Sequence, residues 1–337
     1  MQLARYSSRQ PGDRATFLDT TFMLAITMEN RIDTSELDQS VPRGRRLWYV
    51  IGTSGLLLVI LGGLVALLPW QRRVQAITEI ERLGGHVDTV PVGPGWLRNI
   101  VGDEVMLGYD DVYHVTFEYA QVADAGLMHV KGLTEIQALG LSPKMTDAGL
   151  VHLKEQTELQ ALGLSPKVTD AGLMHLKGLV KLYYLNLCDT QVTDAGLLHL
   201  NGLTNLHSLG LEGTQVTDAG LVNLMELAKL KGVVKLQHLN LSGTQATDVG
   251  LVHITALTNL QYLDLSGTQV TDAGLANLKA LTKLTTLHLS DTQVSDTGLV
   301  HLKSLRKLET LALKHTQVTG AGLTNLKAAL PTCAIQE

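Results

Sequence analysis

The side chains in this chain that could do chemistry recur at fixed intervals. His129, His152, His175, His199, His253 and His301 hold one point of a repeated block, and Asn223, Asn277 and Asn325 take the equivalent places. Stacked imidazoles about 5 Å apart could bind a metal or titrate near neutral pH. The free exchange with asparagine points instead to a small polar residue at a half-buried helix boundary. A second set flanks alternating leucines: Tyr184, Asn186, Cys188, Glu212, His238, Asn240, Tyr262, Asp264, Thr286, His288 and Asp291. Tyrosines among amides, imidazoles and carboxylates suit recognition of a protein or peptide, and the alternative is ordinary solvated strand surface. The expected partner-binding residues are Tyr184, Asn186, Glu212, His238, Asn240, Tyr262, Asp264 and His288, with most weight on Tyr184, Tyr262 and Asp264. In earlier repeats the same places hold Ala138, Gly140 and Ser142, then Ala161, Gly163 and Ser165, which are small and featureless.

A recurring aspartate raises the question of calcium, but one carboxylate per repeat lacks the dense oxygen cluster a calcium loop needs. Helix capping accounts for it. The chain has no phosphate-binding glycine loop, no G-x-S-x-G and no H-E-x-x-H, and Cys188 has no basic activator nearby in sequence. No catalytic residue, cofactor or metal site is expected, and the chain does not read as an enzyme.

The elements that must hold these residues are legible in the repetition. Asp-Ala-Gly-Leu begins at Asp124, Asp147, Asp170, Asp194, Asp218 and Asp272, and recurs in altered form at Asp248, Asp296 and Gly320. Successive spacings are 23, 23, 24, 24, 30, 24, 24 and 24 residues. Each unit is too small to bury its own apolar face, so units must stack into a solenoid of about nine repeats over 112–337. Within one unit, Leu206-x-x-Leu209-x-Leu211-x-x-Thr214-x-Val216 fits the leucine-rich-repeat pattern. The alternation around Leu209 and Leu211 predicts a strand, and Thr217-Asp218 predicts a capped helix. The fold class is therefore α/β, with a parallel sheet on the concave side and helices on the convex side. Thr190, Thr214, Thr244, Thr268, Thr292 and Thr316 predict a hydroxyl ladder satisfying buried backbone groups. Six extra residues around 225–232 predict a longer convex helix.

From Leu47 to Leu68 the chain runs 22 residues without a charge. As a helix that is about 33 Å, enough for a bilayer core of about 30 Å. Trp48, Tyr49 and Trp70 mark its ends, so 47–70 is expected to be a single transmembrane helix holding the chain in the lipid bilayer. It is too long for the apolar region of a cleaved signal peptide. Arg31, Arg43, Arg45 and Arg46 precede it, and Arg72, Arg73 and Arg82 follow, which tilts the solenoid toward the non-cytoplasmic side. Gly62-x-x-x-Ala66 is a weak helix-pairing motif. Residues 1–46 read as a flexible tail whose true start could be Met28, and 71–111 as linker and N-terminal cap.

Composition sets the outer bounds. With 27 basic and 32 acidic residues the net charge is −5, which offers no general attraction to nucleic acid. Cys188 and Cys333 are the only cysteines, too few for a disulfide scaffold.

The TQVTDAGL units resemble bacterial leucine-rich-repeat proteins typical of planctomycetes, and more distantly the repeats of F-box adaptors. The linker AITEIERLGGHV (76–87), PGWLRNIVGDE (94–104) and the terminal KAALPTCAI (327–335) also match the planctomycete group. That resemblance implies a membrane-anchored, non-catalytic recognition solenoid. Protein or peptide binding on the concave face is the leading expectation. A structural envelope role by lateral self-association, and glycan binding, stand as alternatives.

Overall fold

The computed structural model describes residues 68–230 and 235–337. The uncharged run from Leu47 lies outside them except for Leu68. Among the described residues no helix is long and apolar enough to cross a membrane. Residues 68–82 are helical, so the chain continues as helix beyond Trp70, where the transmembrane helix was expected to end.

Among the described residues eleven strands form one sheet in chain order. They are β1 (His86–Val90), β2 (Asp111–Thr116), β3 (Ala138–Gly140), β4 (Ala161–Gly163), β5 (Tyr184–Asn186), β6 (Ser208–Gly210), β7 (His238–Asn240), β8 (Tyr262–Asp264), β9 (Thr286–His288), β10 (Thr310–Ala312) and β11 (Ala334–Gln336). Only β1 is antiparallel, pairing with β2, and every later pair is parallel. Nine DAGL-type turns separate β2 from β11, matching the nine blocks read from the sequence.

Strict register follows from the leucine spacing. Val115, Leu139, Leu162, Leu185, Leu209, Leu239, Leu263, Leu287 and Leu311 are successive Cα partners, and all are buried. Each buried leucine contributes about 1.5–3 kcal/mol, and a one-residue slip would turn the whole column to solvent. The helix at 68–82 closes one end of this core through Ala76, Ile77 and Ile80, which join Val112, Val115 and Phe117. Helix Gly320–Ala329, Leu330, Cys333 and β11 close the other. The insertion behaves as its spacing predicts, forming a 13-residue helix, Asp218–Leu230.

One expectation holds and one is corrected. The repeated threonines satisfy backbone groups of the loop leaving each strand: each of the six hydroxyls donates to the carbonyl three residues earlier in its own repeat, at 2.6–2.7 Å. The repeated aspartates do not cap their own helices. The preceding threonine or serine is the N-cap and accepts from the amide two residues on. The aspartate, already inside the helix, reaches the next repeat. Asp124, Asp147, Asp170, Asp194, Asp218, Asp248, Asp272 and Asp296 each accept from the backbone N–H and the hydroxyl of the next Thr or Ser, at 2.5–2.8 Å. This approach explains the glycine of the motif, because a Cβ at Gly172 would lie 2.4 Å from Asp147 Oδ1.

Candidate functional site

Side chains alternate across the strands, so the residues flanking each core leucine stand on the open face of the sheet. One row runs Tyr184, Ser208, His238, Tyr262, Thr286, and the next runs Asn186, Gly210, Asn240, Asp264, His288. The expected residues fall into a connected group on β7–β9 and a separate pair on β5.

In the connected group, the Tyr262 hydroxyl donates to Asp264 Oδ2 at 3.2 Å. His288 Nδ1 lies 3.1 Å from the same oxygen and 3.4 Å from that hydroxyl. The Tyr262 ring meets His288 edge-on with centroids 5.3 Å apart, and His238 is tilted against the Tyr262 ring at 6.2 Å. Asn240 Nδ2 donates to Glu212 Oε2 at 3.0 Å, bringing β7 to the carboxylate at the exit of β6. Burial, the Asp264 charge and the Asp264 hydrogen bond push the Tyr262 phenol up to about 12, with a smaller push from Glu212. That phenol stays protonated and cannot serve as a base at neutral pH. The group is a fixed set of donors and carboxylate acceptors beside aromatic rings.

Tyr184 and Asn186 are set apart because β6 presents only Ser208 and Gly210. A Cβ on Gly210 would lie 3.0 Å from both Asn186 Oδ1 and Cys188 Sγ, so these two side chains cover it. Burial, then Cys188 and Glu118, push the Tyr184 phenol up. Burial pushes the Cys188 thiol up as well, away from a reactive thiolate.

Several readings change. Ser142 and Ser165, expected on the open face, are fully buried. Their repeats are one residue shorter at the strand exit, and Ser142 Oγ turns inward to donate to Ala120 O at 2.7 Å. Asp291 lies past the strand in a turn with φ 58° and contacts His315 at 2.8 Å. Two features escaped sequence reading. Glu118 reaches over the small-residue floor, where a Cβ on Gly140 would lie 2.8 Å from its Oε1. Tyr183 and His207 stack at 4.2 Å and 17°. The 24-residue period, which carries 183 to 207, was the signal available for that pair.

Every histidine of the repeated series is half-buried. Asn223, at the same position, donates to Asp194 O at 2.8 Å, and His152 and His301 bury Nδ1 without a partner. Burial and Lys131 lower His152, with Asp124 opposing. Among the described residues no three His, Cys, Asp or Glu side chains are grouped to hold a metal.

A family model described as Leucine Rich repeats (2 copies) matches residues 258–301. The chain carries leucine-rich repeats. Solved structures with the same kind of repeat include internalin C2 of Listeria monocytogenes, at 31% identity and TM-score 0.45, over 64% of this chain and 84% of that one. An internalin of the same organism gives 19% identity and TM-score 0.38, over 62% of this chain and 76% of its own. A leucine-rich-repeat protein of Leptospira interrogans gives 20% and 0.43, over 62% and 56%. A search of curated proteins finds no match. In leucine-rich-repeat terms, the candidate site occupies the variable positions around the invariant strand leucine.

Proposed function

We propose that this chain is a membrane-anchored, non-catalytic recognition protein that binds a protein or peptide on the open face of its sheet. The anchor is the uncharged run 47–68, and the solenoid lies on the non-cytoplasmic side, the reading its flanking arginines favour. The observation that carries recognition is the joined group Tyr262, Asp264 and His288, with the bonded pair Glu212–Asn240 on the neighbouring strands. A face whose side chains already hold one another presents donors and acceptors with little ordering cost on binding, and a tyrosine at its centre has the character of an interface anchor. Two carboxylates, Asp264 and Glu212, favour a partner segment bearing a cation, for which the tyrosine ring adds attraction.

The test is capture of interacting proteins by the full chain from detergent-solubilised membranes, compared with Tyr262→Ala combined with Asp264→Asn. Asparagine keeps the oxygen that accepts from Ser266 N–H, so the strand exit survives. We expect capture to weaken at least about tenfold, as loss of a central anchor does. Undiminished capture would remove the open face from consideration.

A further inference from the structure

The cap contributes a surface that its own core does not use. Helix Gly95–Val101 has no buried residue. Trp96 and Ile100, four apart and so on one face, are 64% and 73% exposed. Val105 and Tyr109 are exposed as well, and Leu68 is exposed on the first helix. These segments are locked together: Trp70 Nε1 donates to Val105 O at 2.9 Å, and a Cβ on Gly108 would lie 2.2 Å from the Trp70 ring. Of the charges in this region, Arg98 is drawn inward, whereas Asp103 and Asp111 stay exposed. Arg98 donates to the buried Asp110 and, at 3.3 Å, to Asp103. Arg72, one turn beyond Leu68 on the same helix face, is exposed.

We propose that this apolar face of the cap is a seat on the bilayer interface. The inference rests on the membrane-anchor reading of 47–68. Leu68 is both the last residue of the uncharged run and a member of the exposed surface, and Trp70, two residues on, is bonded to the segment that carries the rest. The bond from Trp70 to Val105 keeps the segment that carries Val105 and Tyr109 beside the residue two past Leu68. Tryptophan and tyrosine with aliphatic neighbours are the residues that partition into the headgroup layer. Arg72 supplies a cation for lipid phosphates. Seated this way, the cap fixes the angle at which the first repeat leaves the membrane, and the sheet's open face is presented at a set orientation.

The experiment uses the full chain with Cys188→Ser and Cys333→Ala, reconstituted in phosphatidylcholine–phosphatidylglycerol vesicles. One fluorophore is placed at Ile100→Cys or, as control, at Ser208→Cys on the open face. Lipids brominated near the headgroup should quench the Ile100→Cys probe several-fold more than the control. Trp96→Glu in that background should abolish the difference while the chain still resists carbonate extraction. Equal quenching at both positions with the chain retained in vesicles would overturn the seat and leave the anchor standing. Loss of the chain to carbonate would overturn the anchor and the seat with it. An unquenched probe whose emission changes on diluting chain in lipid would assign the face to a second copy and overturn the proposal.

Discussion

Asp264 divides its two oxygens between separate tasks. Oδ1 accepts from Ser266 N–H at 2.9 Å, and Oδ2 holds Tyr262 and His288. Asn186 and Asn240 likewise use Oδ1 on the amide two residues on, at 2.9 Å. Part of what reads in sequence as recognition chemistry therefore closes the strand exit, a local role suited to Asn and Asp. The turn that follows places one residue at positive φ. Gly213, Gly243 and Gly267 occupy it at 64–68°, and Asp189, Asp291 and His315 at 56–58°. A side chain there is strained, so Asp189→Gly should raise stability by about 0.5–1 kcal/mol in urea unfolding, while Gly213→Ala should lower it by about 1–2 kcal/mol. Equal effects of the two changes would remove backbone strain as the cause.

Between elements, the Asp-to-Thr bridges tie each helix start to the next. Burial raises Asp272, but bonds from the Ser295 hydroxyl and amide, Thr297 and Gly298 outweigh it and hold its carboxyl below the usual range. Such a group stabilises the fold above its unfolded value near about 4, and that contribution is lost as pH falls through the lower folded value. Asp272→Ala should therefore cost about 1–3 kcal/mol at pH 7 and markedly less near pH 3. Gly320→Asp, which has no following repeat to meet, should stay within about 0.5 kcal/mol of the parent. A cost for Asp272→Ala that is independent of pH would show that its charge is irrelevant. The strands, helices and register were readable here because the leucines repeat with few departures. The bridges were not, because their two ends lie 22–29 residues apart, and a Thr-Asp pair before a helix looks the same whichever residue caps it.

For the molecule as a whole, the period predicted one continuous core, and the details that break the period were hidden. Gln156 stands where neighbouring repeats have leucine, is fully buried, and donates Nε2–H to Val130 O at 3.1 Å. Sequence pattern marks such a site as an error and cannot supply its partner. The candidate site was half legible: periodicity placed Tyr262, Asp264 and His288 side by side, but the reach of Glu118 from outside the repeats follows from no spacing. Orientation across the membrane belongs to this scale too. A C-terminal epitope tag should be removed by protease once outer layers are opened and before the inner membrane is lysed; protection until lysis would place the solenoid in the cytoplasm.

The bridges are directional, with a carboxylate facing one way and a hydroxyl the other. At the first unit Ala123 replaces the threonine, and at the last Gly320 replaces the aspartate. A copy arriving end to end would thus find neither a hydroxyl to offer nor a carboxylate to receive it. The bridge that ties unit to unit within one chain is therefore not one that a second copy could extend at either tip.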